Sequence, residues 1–485
     1  MTGVQTCALP ILLIRCDVGQ VVTIDDLADD VLLEIFGFFV VKYQDLDIRQ
    51  LVDYDTKRKI ESWQLLVHVC RRWRDLVLGS PRHLNLQICC RPRLFPRSDV
   101  WPPLPLLIWG SVTRTSVHDV IAELKHSDRI YQINLKCNTS WELENIWTAM
   151  QVPFPELAIM NLSLNYRTHV PVLPDSFLGG SAPRLRLLRL NSIPFPGLPN
   201  LLSSATHLVH LRLRRIPLSA YISPEALATC LSALTSLETL SLGLGYFESP
   251  DPSRRPFSPI RSVLPTLAIF RFSGVINYLE EFVARIDTPR LSCLSTRGID
   301  NIDFDTPELN QFISRTPTLT AYDEAHLFFY DLGDRVRLVR SHPEPSDPRV
   351  VEIETGDQKF SNTVRICTLL LRRLLLTTEN LYIGGHPYSQ HYYNNHNNTE
   401  WLDLLLPFTA VKNLYLSKLF STRIALVLQE LTGERTTEVL PALQNVFLEG
   451  FQPSEPVEEG IARFISARQL INHPVSISVW DGDPE

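Results

Sequence analysis

The chain has 485 residues, 45% hydrophobic and 20% charged, with a formal net charge of −7. That length exceeds one ordinary core and predicts at least two structural units. The charge excludes a global basic field for nucleic acid, and no apolar run approaches the ~20 residues that cross a bilayer. The nine cysteines form no CxxC pair and no regular framework, Cys89 and Cys90 being the only close pair. That usage fits a reducing compartment, cytoplasmic and/or nuclear, and the sequons at Asn138, Asn161 and Asn397 are then expected to be unused.

The opening residues, MTGVQTCALPI, have a short apolar stretch with no basic residue before it and make a poor secretory signal. They resemble the translated read-through of a sequencing adapter, so Met1–Ile11 is expected to be non-native, within an N-terminal segment at 1–23. From Leu27 the pattern turns helical. Val31, Leu32, Ile35, Phe36 and Phe39 recur at helical spacing, and Asp29 and Asp30 lie in the first turn, where negative charge complements the helix dipole. Gly37 sits inside this helix and costs about 1 kcal/mol relative to alanine. Residues 41–60 are polar and mixed in charge, an insert read as a loop or a solvated helix. Leu66, Cys70, Trp73 and Val77 then share one face of a second helical segment, ended by Gly79-Ser80-Pro81.

A helical unit this small needs a partner to be stable. Its residue order resembles the F-box, and with the tail SPRHLNLQICC and the run WPPLPLLI it resembles the expanded fungal F-box family in particular. The positions that carry the resemblance are Leu27, Asp30, Val31, Leu32, Ile35 and Phe36, then Val69, Cys70, Arg71, Trp73, Arg74, Leu76 and Val77. Ala28 departs from the family's usual proline, and the insert at 41–60 is long. The F-box is assigned to 24–90. The resemblance implies docking onto the Skp adaptor of a cullin–RING ubiquitin ligase through buried apolar anchors. The candidate adaptor-binding residues are Leu27, Leu32, Ile35, Phe36, Cys70, Trp73, Leu76 and Val77. Some of these must instead pack the helices together.

Residues 91–129 begin Pro-rich and read as a connector, with a helical stretch at His118–His126. From Ile130 a repeat appears, apolar-x-x-apolar-x-apolar, with copies starting at Ile130, Leu157, Leu185, Leu208, Leu237, Leu267 and Leu291. Weaker copies start at Leu319 and Val350, and clear ones return at Thr378, Val411 and Leu443. Helical stretches lie between several of them, at Pro224–Leu234, Tyr278–Ile286, Glu308–Ser314 and Ala425–Leu431. The fold class is therefore α/β: a small all-helical unit followed by an irregular leucine-rich repeat solenoid at 130–480, a curved parallel sheet with helices outside, each repeat burying its leucines against its neighbours. The alternative is an ordinary α/β domain with accidental matches. His386–Asn398 and Ser341–Pro348 are expected to project as loops.

Strand side chains alternate, so the residue before the third apolar position faces the concave surface. In order these are Asn134, Asn161, Arg189, Arg212, Ser241, Arg271, Ser295, Asp323, Glu354, Tyr382, Tyr415 and Phe447. Arginine suits bidentate contact with carboxylate or phosphate, and aromatic rings are favoured anchors. Arg189, Arg212, Arg271, Tyr382, Tyr415 and Phe447 are the candidate substrate-binding residues, an anion-binding middle and an aromatic end. Chance placement of strand-favouring residues is the competing explanation.

No dinucleotide, phosphate-loop, zinc-protease or nucleophile-elbow motif occurs. His386, His391 and His396 match no standard metal spacing, and Asp300–Asp305 lacks the glycine and distal glutamate of a calcium loop. No catalytic residue, cofactor, metal, nucleic acid or membrane contact is expected. The resemblance and the repeats together imply a non-catalytic substrate receptor of an SCF-type ligase, binding the Skp adaptor at one end and a protein substrate on the repeats. A repeat scaffold with no ubiquitin-ligase role is the alternative.

Overall fold

The structure, a computed structural model, describes residues 14–15, 21–22, 24–40, 62–91, 103–165, 170–217, 221–244, 261–298, 306–341, 349–356, 359–389, 392–393, 396–431, 433–450 and 455–482. Met1–Ile11, the insert at 41–60, Asp300–Asp305 and His391 lie outside them. The chain divides into two compact units, Met1–Leu135 and Lys136–Glu485.

After a short antiparallel pair, Ile14–Arg15 with Val21–Val22, the smaller unit has three helices, α1 (Asp29–Phe39), α2 (Ser62–Val67) and α3 (Arg71–Gly79). The face expected to run from Leu66 through Val77 on one helix is broken between α2 and α3. Cys70 is extended there and its sulfur caps α3 by accepting from the Trp73 amide. Leu66 therefore packs from α2, with Trp63 and Val67, while Val77 packs from α3, all of them buried. Leu32 and Phe36 are the buried residues of α1, and the Phe36 ring lies 4.7 Å from that of Trp73. Arg72 ties α3 to the start of α1, donating to the Leu27 carbonyl and pairing with Asp29 at 2.6 Å.

The same unit continues into β1 (Ile88–Cys90) and β2 (Leu106–Ser111), which pair in parallel, then helix α4 (Val117–Leu124). The stretch read as a connector is thus partly a strand and helix of the same kind as the repeats. Its prolines stop short of Leu106, and Leu106-Leu107-Ile108 is fully apolar and buried. Strand β3 (Ile130–Cys137) carries the boundary between the units.

The larger unit holds β4 (Ile159–Leu164), β5 (Leu187–Asn191), β6 (His210–Ile216), β7 (Thr239–Leu244), β8 (Ile269–Gly274) and β9 (Cys293–Gly298). It continues with β10 (Glu324–Tyr330), β11 (Gly333–Val339), β12 (Val350–Glu354), β13 (Asn380–Gly385), β14 (Asn413–Leu416), β15 (Asn445–Glu449) and β16 (Ser476–Trp480). Most successive strands are joined through helices, among them Pro224–Ser232, Ile276–Val283, Pro307–Arg315 and Lys418–Gln429. Leucines of the motif are buried on one side, Leu188, Leu211, Leu240, Leu294, Leu381 and Leu414 each at 0% exposure. This is the α/β, largely parallel strand-and-helix repeat that the leucine spacing dictates.

The register departs from sequence order in one place. The strands run β9-β12-β11-β10-β13, with β11 antiparallel to both of its neighbours. The weak copies at Leu319 and Val350 are therefore not two successive repeats. Chain emerging from β9 skips two positions, makes β10, folds back through β11, and fills the gap with β12. The hairpin turns at Gly333, whose φ of +131° and approach to the Thr355 carbonyl exclude a side chain. Asp334 anchors the same place: its buried carboxylate accepts from the Tyr393 and Thr363 hydroxyls, and its amide donates to Thr355 Oγ1 at 2.7 Å.

Candidate functional site

Period-2 alternation turns every second strand residue of the larger unit away from the buried side. Hydrogen-bonded register then lines those residues up across the strands. The central row reads Asn161, Arg189, Arg212, Ser241, Arg271, Ser295, Glu352, Arg337, His326, Tyr382, Tyr415, Phe447 and Ser478. Arg189, Arg212, Arg271, Tyr382, Tyr415 and Phe447 thus fall in one row. Asp323 and Glu354 do not. Glu354 pairs with Arg297, so Glu352 takes its place; a slip of two residues keeps the same facing and alternation cannot detect it. Asp323 precedes β10 and binds Ser341 through both carboxylate oxygens. His326 occupies its position.

The row changes chemistry along its length. Arg189 and Arg212 are direct neighbours on adjacent strands, about 4.8 Å apart along the ladder. Burial, and then the nearby Arg214, lower the proton affinity of Arg189. Like charges crowded onto one face favour an incoming anion, which relieves both the repulsion and the lost hydration. The acids sit further along and are already neutralised. Glu354 lies 2.6 Å from Arg297 and 3.8 Å from Arg335, and Glu352 4.0 Å from Arg337. Burial raises the Glu354 carboxyl above the ordinary range, against the pull of Arg297 and Arg335. Among the described residues, Arg189, Arg214 and Arg271 have no acidic partner.

Beyond Arg337 the row becomes a stack of rings. His326 to Tyr382 is 4.4 Å at 7°, Tyr382 to Tyr415 is 4.3 Å at 11°, and Tyr415 to Phe447 is 4.5 Å at 8°. Beside it runs a ladder of amides: Asn413 donates to Asn380 at 2.7 Å, Asn445 to Asn413 at 2.8 Å, and the Ser476 hydroxyl to Asn445 at 2.6 Å. Asparagine two residues before Tyr382, Tyr415 and Phe447 was the available sequence signal for it. Trp480 from β16 crosses the Tyr382 and Tyr415 planes at 56° and 68°. With Phe328, Tyr330, Gly384, His386, Ser417 and Glu449 it lines a half-open hollow of about 300 Å³. His326, Phe328 and Trp480 escaped the sequence reading because β10 and β16 did, and Glu449 did because it lies beyond the third apolar position of the Leu443 copy, at the end of β15.

At the other end, the candidate adaptor-binding residues separate by exposure. Leu32, Phe36 and Val77 are 0%, 1% and 0% exposed and hold the three helices together. Leu27, Cys70, Trp73 and Leu76 are half-buried, and Ile35 is exposed. The exposed apolar side chains also include Val31, Phe38 and Phe39 on α1, Leu65 on α2 and Val69 after it, with Phe38 at 89% and Leu65 at 64%. Helical periodicity placed Phe38 off the apolar face, so spacing alone passed over it.

Among the described residues no group of acidic, histidine or cysteine side chains could hold a metal ion, and no helix is long and apolar enough to cross a membrane. The architecture is that of a leucine-rich strand-and-helix repeat protein preceded by a small helical unit. No family model matches the sequence, and neither does any curated protein. Among solved structures it is similar to the leucine-rich repeat-containing protein LegL7 of Legionella pneumophila, with 12% identity over 78% of this chain and 97% of that one and a TM-score of 0.25.

Proposed function

We propose that this protein is the substrate-recognition subunit of an SCF-type cullin–RING ubiquitin ligase. The three-helix unit docks the Skp adaptor and the open face of the repeats holds a protein substrate. Its contribution is positional: a substrate lysine held near the conjugating enzyme gains effective concentration, and the bond-making chemistry belongs to other subunits. The observation that carries the reading is the pairing of the F-box-like motifs with an unspent apolar surface. Leu32, Phe36 and Val77 satisfy the internal core, yet Val31, Ile35, Phe38, Phe39, Leu65 and Val69 remain exposed on the same small unit. Exposed aromatic and aliphatic residues clustered on so few residues are the anchors of a helix-and-groove contact.

The test is co-purification with the Skp adaptor under native conditions. Wild type is expected to bind, and Phe38→Asp combined with Leu65→Asp is expected to lose at least tenfold in affinity at unchanged helix content. Absence of wild-type binding overturns the ligase reading and leaves the second one, an interaction scaffold built on the repeats. The graded row of arginines and rings favours a partner-binding role under either reading.

A further inference from the structure

We propose that the cavity under Trp480 receives a basic side chain, lysine or arginine, of a protein partner. This deepens the partner-surface reading of the repeat face and is independent of adaptor docking. Three observations carry it: the shape of the cavity, the kind of atoms that line it, and its charge.

The shape follows from two missing side chains. Gly384 lies on the open face of β13 opposite Phe328, and Ser417 follows β14. Their smallness leaves a hollow of about 300 Å³, at the low end of the ~300–1,000 Å³ typical of ligand pockets, which is the scale of a single side chain. A β-carbon at Gly384 would meet nothing nearer than Phe328 at 3.6 Å and Ser417 at 3.8 Å, ordinary contact distances, and φ is not in the left-handed region. The glycine is therefore not required by the backbone. Gly385 differs, since a β-carbon there would strike the Phe329 carbonyl at 2.4 Å.

The lining is aromatic, but its rings are not equivalent. Tyr382 has one face against His326 and the other against Tyr415, so it presents an edge. The Tyr330 face is occupied by the Arg335 guanidinium, 5.3 Å from the ring centroid. Trp480 stands across the stack rather than within it, and it and Phe328 supply the apolar walls. Indole is the strongest aromatic partner for a cation.

The charge is negative. Glu449 pairs in register with Trp480 across β15 and β16 and lines the cavity. Its Oε2 accepts the Lys418 amide at 3.1 Å, and no cationic side chain pairs with it among the described residues. His386, the other ionisable group on the wall apart from Tyr330 and Tyr382, faces Asp331 at 4.0 Å. A basic side chain would lay its methylenes along Phe328 and Trp480 and bring its charge to Glu449. An acidic ligand would meet Glu449 and be repelled, and a neutral aliphatic one would leave that carboxylate desolvated.

The test uses the full chain and four probes, each blocked as an N-acetyl methylamide: lysine, arginine, norleucine and glutamate, with affinities read by saturation-transfer NMR. Lysine and arginine are expected to bind at least tenfold more tightly than norleucine, and glutamate not to bind. Glu449→Gln, which can still accept the Lys418 amide, should erase the preference for the basic probes. Gly384→Val should fill the hollow and weaken every probe while leaving the melting temperature within a few degrees. Equal binding of norleucine, a basic preference that survives Glu449→Gln, or full binding by Gly384→Val overturns the proposal. Loss of probe binding in a chain that still co-purifies with the adaptor counts against this pocket alone. Retained probe binding without co-purification counts against the ligase reading alone.

Discussion

Gly37 shows what a single residue costs when nothing requires it. It lies inside α1, and a β-carbon built there meets no atom within 4 Å. Helical glycine loses backbone entropy without return, so Gly37→Ala should stabilise the helical unit by about 0.5–1 kcal/mol, read as a higher melting temperature. A lower one would mean that α1 is not helical at that point. Arg189 is the opposite case, a residue whose presence carries a cost with no internal compensation. Burial and Arg214 disfavour its charge, so Arg189→Met should not lower the melting temperature. The triple replacement of Arg189, Arg212 and Arg271 by alanine should weaken capture of an acidic substrate while leaving adaptor binding intact. Unchanged capture would remove the anion-binding role of this stretch. Both effects belong to residues on a face that alternation alone identifies.

At the scale of elements, the inserted hairpin β10–β11 is the feature that reshapes the site. Without it the arginine and aromatic stretches would be joined by the acids of β12 alone. With it, Arg337 and Arg335 neutralise Glu352 and Glu354, and His326 starts the ring stack. The hairpin depends on its turn. Gly333→Ala would place a β-carbon 2.0 Å from the Thr355 carbonyl at a φ of +131°, so it should cost more than about 2 kcal/mol and abolish the aromatic cavity. Gly384→Ala, with 3.6 Å of clearance, should be tolerated. Chemical denaturation of the two variants side by side checks this, and equal stabilities would contradict the described hairpin. Sequence spacing missed β11 because its alternating residues, Asp334 to Val339, carry no apolar-x-x-apolar lead-in. It misplaced β12 by two residues because such a slip preserves which side chains face out.

Considered whole, the chain is a smaller unit that includes the three helices and a larger one whose strands bury leucine against leucine. The three helices rest on few residues, chiefly Leu32, Phe36, Trp63, Val67 and Val77, and small cores are marginal. Phe36→Ala also removes the ring contact to Trp73 and should cost about 3–4 kcal/mol. The expected result is an early unfolding step that shifts to lower temperature or denaturant while the main transition stays in place. Circular dichroism followed together with hydrogen exchange resolves the two. A single transition that moves as one would show that the units unfold cooperatively.

Legible in the sequence were the repeat, the buried leucine positions, the inclusion of Arg189, Arg212, Arg271, Tyr382, Tyr415 and Phe447 in one row, and helices through Leu32 and Trp73. These follow from local periods of 2 and 3.6, which any sufficiently long window exposes. Tertiary structure alone decided which strands are neighbours, and so that Glu352 rather than Glu354 shares the row and that His326 joins the rings. It alone decided that Leu32, Phe36 and Val77 are internal while Phe38 and Leu65 are exposed. It also brought Glu449, Trp480, Gly384 and Phe328 around one hollow, from four different strands. Strand order and burial are set by pairing between distant segments, and the free energy of that pairing is not written in the spacing of any one of them.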